Sequence, residues 1–114
     1  MRATYNYEVV IALNIPDFAT NEETVKVSDC DPEQALEAGL RIFIRNYIRE
    51  VHNVIHRPEK YQAGFDEAVA GITGVKVYER FYPGATIGLA TKLVLDFDAS
   101  IAGIKAKEAF SQAA

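Results

Sequence analysis

The chain has 114 residues, with 12 Lys and Arg against 16 Asp and Glu, giving a formal net charge of −4. That length fits one domain and can bury a core without cross-links. The acid excess argues against a protein whose whole surface binds nucleic acid or anionic membrane, and leaves room only for a local basic patch. Hydrophobic residues at 49% and charged residues at 25% match an ordinary globule rather than a disordered chain. Cys30 is the only cysteine, so no intrachain disulfide forms, which suits a reducing compartment. The opening MRATYNYEVV has no signal-peptide core, and no apolar run approaches the ~20 residues that span a bilayer. The expected location is the cytoplasm, of a cell or of the host of a virus, with no membrane partner.

In chain order, Tyr5, Tyr7, Val9, Ile11 and Leu13 alternate with smaller or polar residues, which predicts a strand ended by Pro16-Asp17. A polar loop over 18–23 leads to TVKVS, where alternation resumes and a hairpin forms. Asp31 then reads as an N-cap, with Pro32 at the first helical position and Gln34 three residues after the cap. The helix is predicted to run to about His56, because Pro58 disfavours helix at Arg57. Gly39 is a mild cost inside it. Pro58 opens a second helix with Tyr61, Phe65, Ala68 or Val69, and Ile72 facing inward, stopped by Gly71 or Gly74. VKVYERFY is the third strand and Pro83-Gly84 a turn. TIGLATKLVLDF is the fourth strand, with Ile87, Leu89, Leu93, Leu95 and Phe97 on one face. Ser100 is placed as the cap of a last short helix.

The order β-β-α-α-β-β-α predicts a single α+β domain over 1–114. Its antiparallel sheet has about four strands, with one long amphipathic helix packed on one face.

The long helix carries the main functional signal. At ~100° per residue, Leu36, Leu40, Phe43, Ile44, Tyr47, Ile48, Val51, Val54 and Ile55 fall in one arc of roughly 140°, which must be buried. Arg41, Arg45, Arg49, His52 and His56 fall in a second arc of roughly 80° opposite it. Glu37 can pair with Arg41 at i,i+4, but Arg45 and Arg49 have no acid one turn away on the stripe. Like charges at that spacing repel by about a few tenths of a kcal/mol each, so an offsetting group is expected. The helix dipole accounts for cations near the C-terminus but poorly for Arg41 and Arg45. Acids from another segment, a partner chain meeting the stripe with its hairpin-loop acids (Asp17, Glu22, Glu23), a phosphate-bearing ligand, or simply water and salt on a solvated face could supply the offset.

A second cationic set lies on the third strand, where Lys76, Tyr78, Arg80 and Tyr82 share one side and Val75, Val77, Glu79 and Phe81 the other. Cations interleaved with tyrosines suit phosphate contact and base stacking. They also suit an ordinary half-buried sheet.

Other chemistry is thinly supported. HNVIH sets His52 and His56 at metal-chelating spacing, yet it lacks the glutamate of the zinc-protease helix, and three arginines on the same stripe would repel a cation. Asp29 and Asp31 flank Cys30 and oppose thiolate formation. Asp96 and Asp98 point the same way on a strand, which fits a capped strand end better than a catalytic pair. GATIGLATK does not fit the phosphate-loop spacing.

No cofactor or catalytic set is therefore expected. The leading expectation is a small non-enzymatic accessory protein that self-associates or binds another protein through its basic helix face. The alternative is a binder of nucleotide or single-stranded nucleic acid, with arginines on phosphate and tyrosines stacking.

Overall fold

The computed structural model describes residues 4–82, 84 and 88–111. Two strands, β1 (Tyr5–Leu13) and β2 (Glu22–Asp29), precede the long helix α1 (Pro32–His52). A 3-10 turn (Pro58–Lys60) enters α2 (Tyr61–Gly71), and then β3 (Ile72–Phe81), β4 (Ala90–Asp98) and α3 (Ala99–Ser111) complete the chain. The four strands form one antiparallel sheet in the order β2-β1-β3-β4. This is the α+β arrangement the alternation predicts, with the two hairpins joined through β1 and β3.

Period-two alternation makes the sheet two-faced. Tyr7, Val9, Ile11 and Leu13 of β1 and Val75 and Val77 of β3 are buried on the helix side. They meet Leu36, Leu40, Phe43, Ile44, Tyr47 and Ile48 of α1, with Ala102 and Ala106 of α3 in the same core. No buried polar or charged residue interrupts this layer among those described.

α1 starts as its sequence requires. Asp31 is extended (φ −151°, ψ 165°), and its carboxylate accepts from the Gln34 N–H at 2.8 Å, with Pro32 opening the first turn. Gly39 sits where the helix crosses β1. A Cβ there would lie 2.7–2.8 Å from the side-chain carbons of Val9, closer than van der Waals contact allows. The glycine is therefore a packing requirement, and its low helix propensity is a tolerated cost.

Several boundaries differ from the sequence expectation. α2 runs into β3 without a left-handed glycine, since Ile72 is already extended (φ −76°, ψ 118°). Ile72 is thus the buried first residue of β3 and not an inward helical position. Gly71 ends α2 where a Cβ would collide with Ile15 Cγ1, so close approach again selects glycine.

β4 begins at Ala90 rather than near Thr86, and Ile87 falls outside the described residues, as does Pro83 of the expected turn. The β3–β4 register shifts between Val77 and Tyr78, pairing Val77 with Leu95 but Tyr78 with Leu93. The extra residue, Val94, reverses the alternation. Leu95 and Phe97 pack toward the core, while Leu93 lies opposite Tyr78 and is 46% exposed. Leu89, expected on the inner face, precedes the strand and is exposed.

Asp98, not Ser100, caps α3. Its carboxylate accepts from the Ile101 N–H (3.2 Å) and the Ser100 hydroxyl (2.8 Å), and these bonds hold it below the ordinary carboxylate range.

The Gly39 contact gives a test with an unusual sign. Gly39→Ala improves helix propensity by about 1 kcal/mol, whereas overpacking a close helix–sheet contact costs about 1–3 kcal/mol. The variant is expected to be less stable than wild type in urea melts. A Gly39→Ala protein of equal or greater stability would show that α1 can lift off Val9 freely.

Candidate functional site

The cationic stripe of α1 does not stand as an open ridge, because the other helices close against it. Arg41 lies 3.9 Å from Glu37 and donates from Nη1 to the Ala109 carbonyl of α3 at 3.3 Å. The Arg45 guanidinium sits 5.8 Å from the centroid of the Phe110 ring, which itself packs edge-on against Phe65 of α2. His52 Nε2 is 3.4 Å from Glu67 Oε1, and Tyr47 donates its hydroxyl to the same carboxylate oxygen. The imidazole also covers Gly64, where a Cβ would come within 2.9 Å of His52 Cδ2. Arg49 stays exposed and makes no ion pair among the described residues. Arg41 is thus offset by Glu37 of its own helix and the Ala109 carbonyl of α3, Arg45 by the Phe110 ring and His52 by Glu67 of α2.

The stripe also ends early. Asn53 adopts the left-handed conformation (φ 50°, ψ 46°), and its carbonyl accepts from both the His56 and Arg57 N–H groups at 3.0 Å. Asn is, after Gly, the residue that enters this region most readily, because its short side chain bonds locally. α1 therefore stops at His52, four residues short of the expected His56. His56 leaves the stripe for an exposed turn and no longer shares a helix face with His52, which removes the geometric basis of the HNVIH chelate. Ile55, expected in the buried arc, is 69% exposed, and Val51 is 46% exposed.

The β3 set lies on the opposite side of the molecule. Lys76, Tyr78 and Arg80 share the helix-free face of the sheet, since Val75 and Val77 take the core. Their cross-strand neighbours are mixed in charge: Lys76 between Val10 and Asp96, Tyr78 between Glu8 and Leu93, Arg80 between Asn6 and Thr91. The Arg80 Nε is 3.9 Å from Glu8. Tyr82 follows the strand end and is largely exposed. One strand of nucleic acid cannot take phosphate contacts from α1 and stacking from β3 together, because the sheet and core lie between them. The β3 face alone alternates in sign, which is the pattern of a solvated sheet rather than an anion cradle.

A depression of about 290 Å³ on the helix-free face brings Lys76 and Tyr78 together with the acids Glu22 and Asp96, and sequence reading missed two further concave surfaces. One is a seam between α1 and the edge strand β2, a groove of about 340 Å³ where Phe18, Val25, Ile42, Phe43, Tyr47 and Val51 are interleaved with Glu23, Lys26, Asn46 and Glu50. Val25 and Val27 face the helix but are only half-buried, and Ile42 is 41% exposed. The sequence signal was Ile42, an aliphatic residue beside a cationic stripe. The other is a shallow depression of about 400 Å³ at the α1–α2 corner, lined by His52, Asn53, Arg57 and Lys60 with Val51 and Ala63. His52 ends α1, and Arg57 and Lys60 come from the segment that follows the Asn53 stop, so a helix continued to His56 does not announce it.

Among the described residues, no group of three or more His, Cys, Asp or Glu could hold a metal, and no helix is long and apolar enough to cross a membrane. Cys30 is half-buried, with its Sγ 3.0 Å from Gln34 Oε1. Comparisons with protein families, with characterised proteins and with solved structures return no match to this chain.

The helix end is testable. Asn53→Gly is expected to keep full stability, because glycine enters the left-handed region freely. Asn53→Val should lose about 1–2 kcal/mol, the cost of that region for an L side chain. Equal denaturation midpoints for the two variants would contradict a left-handed stop at this position.

Proposed function

We propose that this protein works by binding rather than catalysis, as a small interaction protein that associates with a second copy of itself. The observation that carries the reading is the α1–β2 seam. Elsewhere α1, α2 and α3 cover the inner face of the sheet, yet at β2 the helix side stays half-open, with Val25, Val27, Ile42 and Val51 partly in solvent. Half-exposed aliphatic side chains along one groove, beside the unpaired outer edge of β2, favour a protein partner over water. The contact moves off the cationic ridge, because Arg41 and Arg45 already meet α3. A reducing, intracellular setting fits the single half-buried thiol. Sedimentation equilibrium tests the reading. The wild type should contain more than one chain, and Ile42→Asp, which puts a charge on the rim, should shift it toward monomer. A wild type that stays monomeric at its highest soluble concentration would refute self-association.

The corner depression supports a second reading, a phosphate-bearing small ligand held by His52, Arg57 and Lys60. No acid lines it, so the three basic side chains have reason to gather an anion there. Glu67 competes for His52 from the α2 side. Titration with inorganic phosphate or a nucleoside diphosphate, followed by NMR shifts of the 51–60 amides, is expected to saturate and to weaken with salt. An unchanged spectrum at low salt rules this reading out.

A further inference from the structure

We infer that two copies join through β2 in an antiparallel, two-fold arrangement centred on Thr24, extending the sheet from four strands to eight. The inference rests on the self-association reading and supplies its surface and register.

β2 ends the sheet, with β1 on one side and no strand on the other. Its pairing with β1 runs from Tyr5–Asp29 to Ala12–Glu22 without a register shift, so its outer edge is a regular row of backbone donors and acceptors. Among the described residues, the other border has no such regularity, since the β3–β4 ladder carries the shift at Val77–Tyr78. The Leu13 N–H donates to the Asn21 carbonyl at 2.9 Å. By the alternation of an antiparallel ladder, the odd residues of β2 turn their backbone groups toward β1. Glu22, Thr24, Lys26 and Ser28 turn theirs outward.

Charge selects the register. A two-fold axis at Thr24 sets Glu22 of each copy against Lys26 of the other, on the helix-free face, and does so twice. An axis at Val25 pairs neither charge with its opposite. An axis at Lys26 sets lysine against lysine, and one at Glu23 sets glutamate against glutamate. Glu22 and Lys26 are both exposed, and neither makes an ion pair among the described residues. They are therefore free to meet a second copy. The same two-fold brings the Ile42–Val51 rim of α1 toward its counterpart above the joined strands, covering the seam. A closed, self-complementary contact of this kind is the commonest form of homo-oligomer.

A charge exchange within one chain tests the register. Lys26→Glu opposes two glutamates at both ends of the contact and should weaken dimerisation about tenfold or more. Adding Glu22→Lys restores both pairs with signs reversed and should recover wild-type dimerisation. Glu8, the neighbour of Lys26 on β1, faces the new glutamate in both variants, so any effect on folding cancels between them. Far-UV circular dichroism confirms that each is folded. A dimeric wild type whose dimer survives Lys26→Glu, or whose loss the second change does not repair, overturns the β2 register and leaves self-association standing. A monomeric wild type overturns both.

Discussion

The fold depends on how closely α1 can lie on β1. A helix that crosses a sheet with a full side chain at every inward position stands off by about 10 Å and leaves voids or bulky fillers between the layers. At Gly39 the missing Cβ lets the α1 backbone settle directly on Val9. Leu36, Leu40, Phe43 and Ile44 then reach the inner side chains of β1 and become fully or almost fully buried. Gly71 repeats the device at the other end of the core, where α2 turns into β3 against Ile15. Two glycines that look like weaknesses in the helices are the points at which the layers touch.

Most of the architecture was legible because it follows local periods. The strands of the first hairpin, the Asp31 cap with Pro32 and Gln34, and the order of all seven main elements come from alternation, capping and proline placement. What stayed hidden needed three dimensions. The stop at Asn53 is a choice of backbone conformation that an Asn in a helical pattern does not announce, whereas Pro58 announces a boundary too late. The β4 bulge turns on the pairing of Leu93 and Leu95 with specific β3 residues, and a single extra residue reverses which leucine faces the core. The Ala109 carbonyl and the Phe110 ring that meet Arg41 and Arg45 are more than sixty residues away in the chain. What the sequence did not give for the candidate residues was their company. Arg41, Arg45 and His52 are bound into helix packing, His56 sits in a turn, and Lys76, Tyr78 and Arg80 lie across the core from them.

That separation reshapes the functional argument. A protein with net charge −4 can bind an anion only where its cations gather without acids. Neither the α1 stripe nor the β3 face meets that condition; at the Asn53 corner no acid lines the depression, although Glu67 reaches His52 from α2. The proposed self-association draws instead on half-exposed aliphatic surface and backbone, where the outer edge of β2 is unpaired and α1 leaves Val25 and Val27 half-covered.

The two borders of the sheet are unequal, and this limits what assembly can look like. A subunit with two straight borders could add copies at each and grow into a filament. Here β4 carries a register shift against β3, and a bulge of that kind interrupts the straight row of backbone groups that flat pairing needs. In the proposed pair the straight border is occupied by its own likeness, so on that proposal strand addition ends in a finite pair.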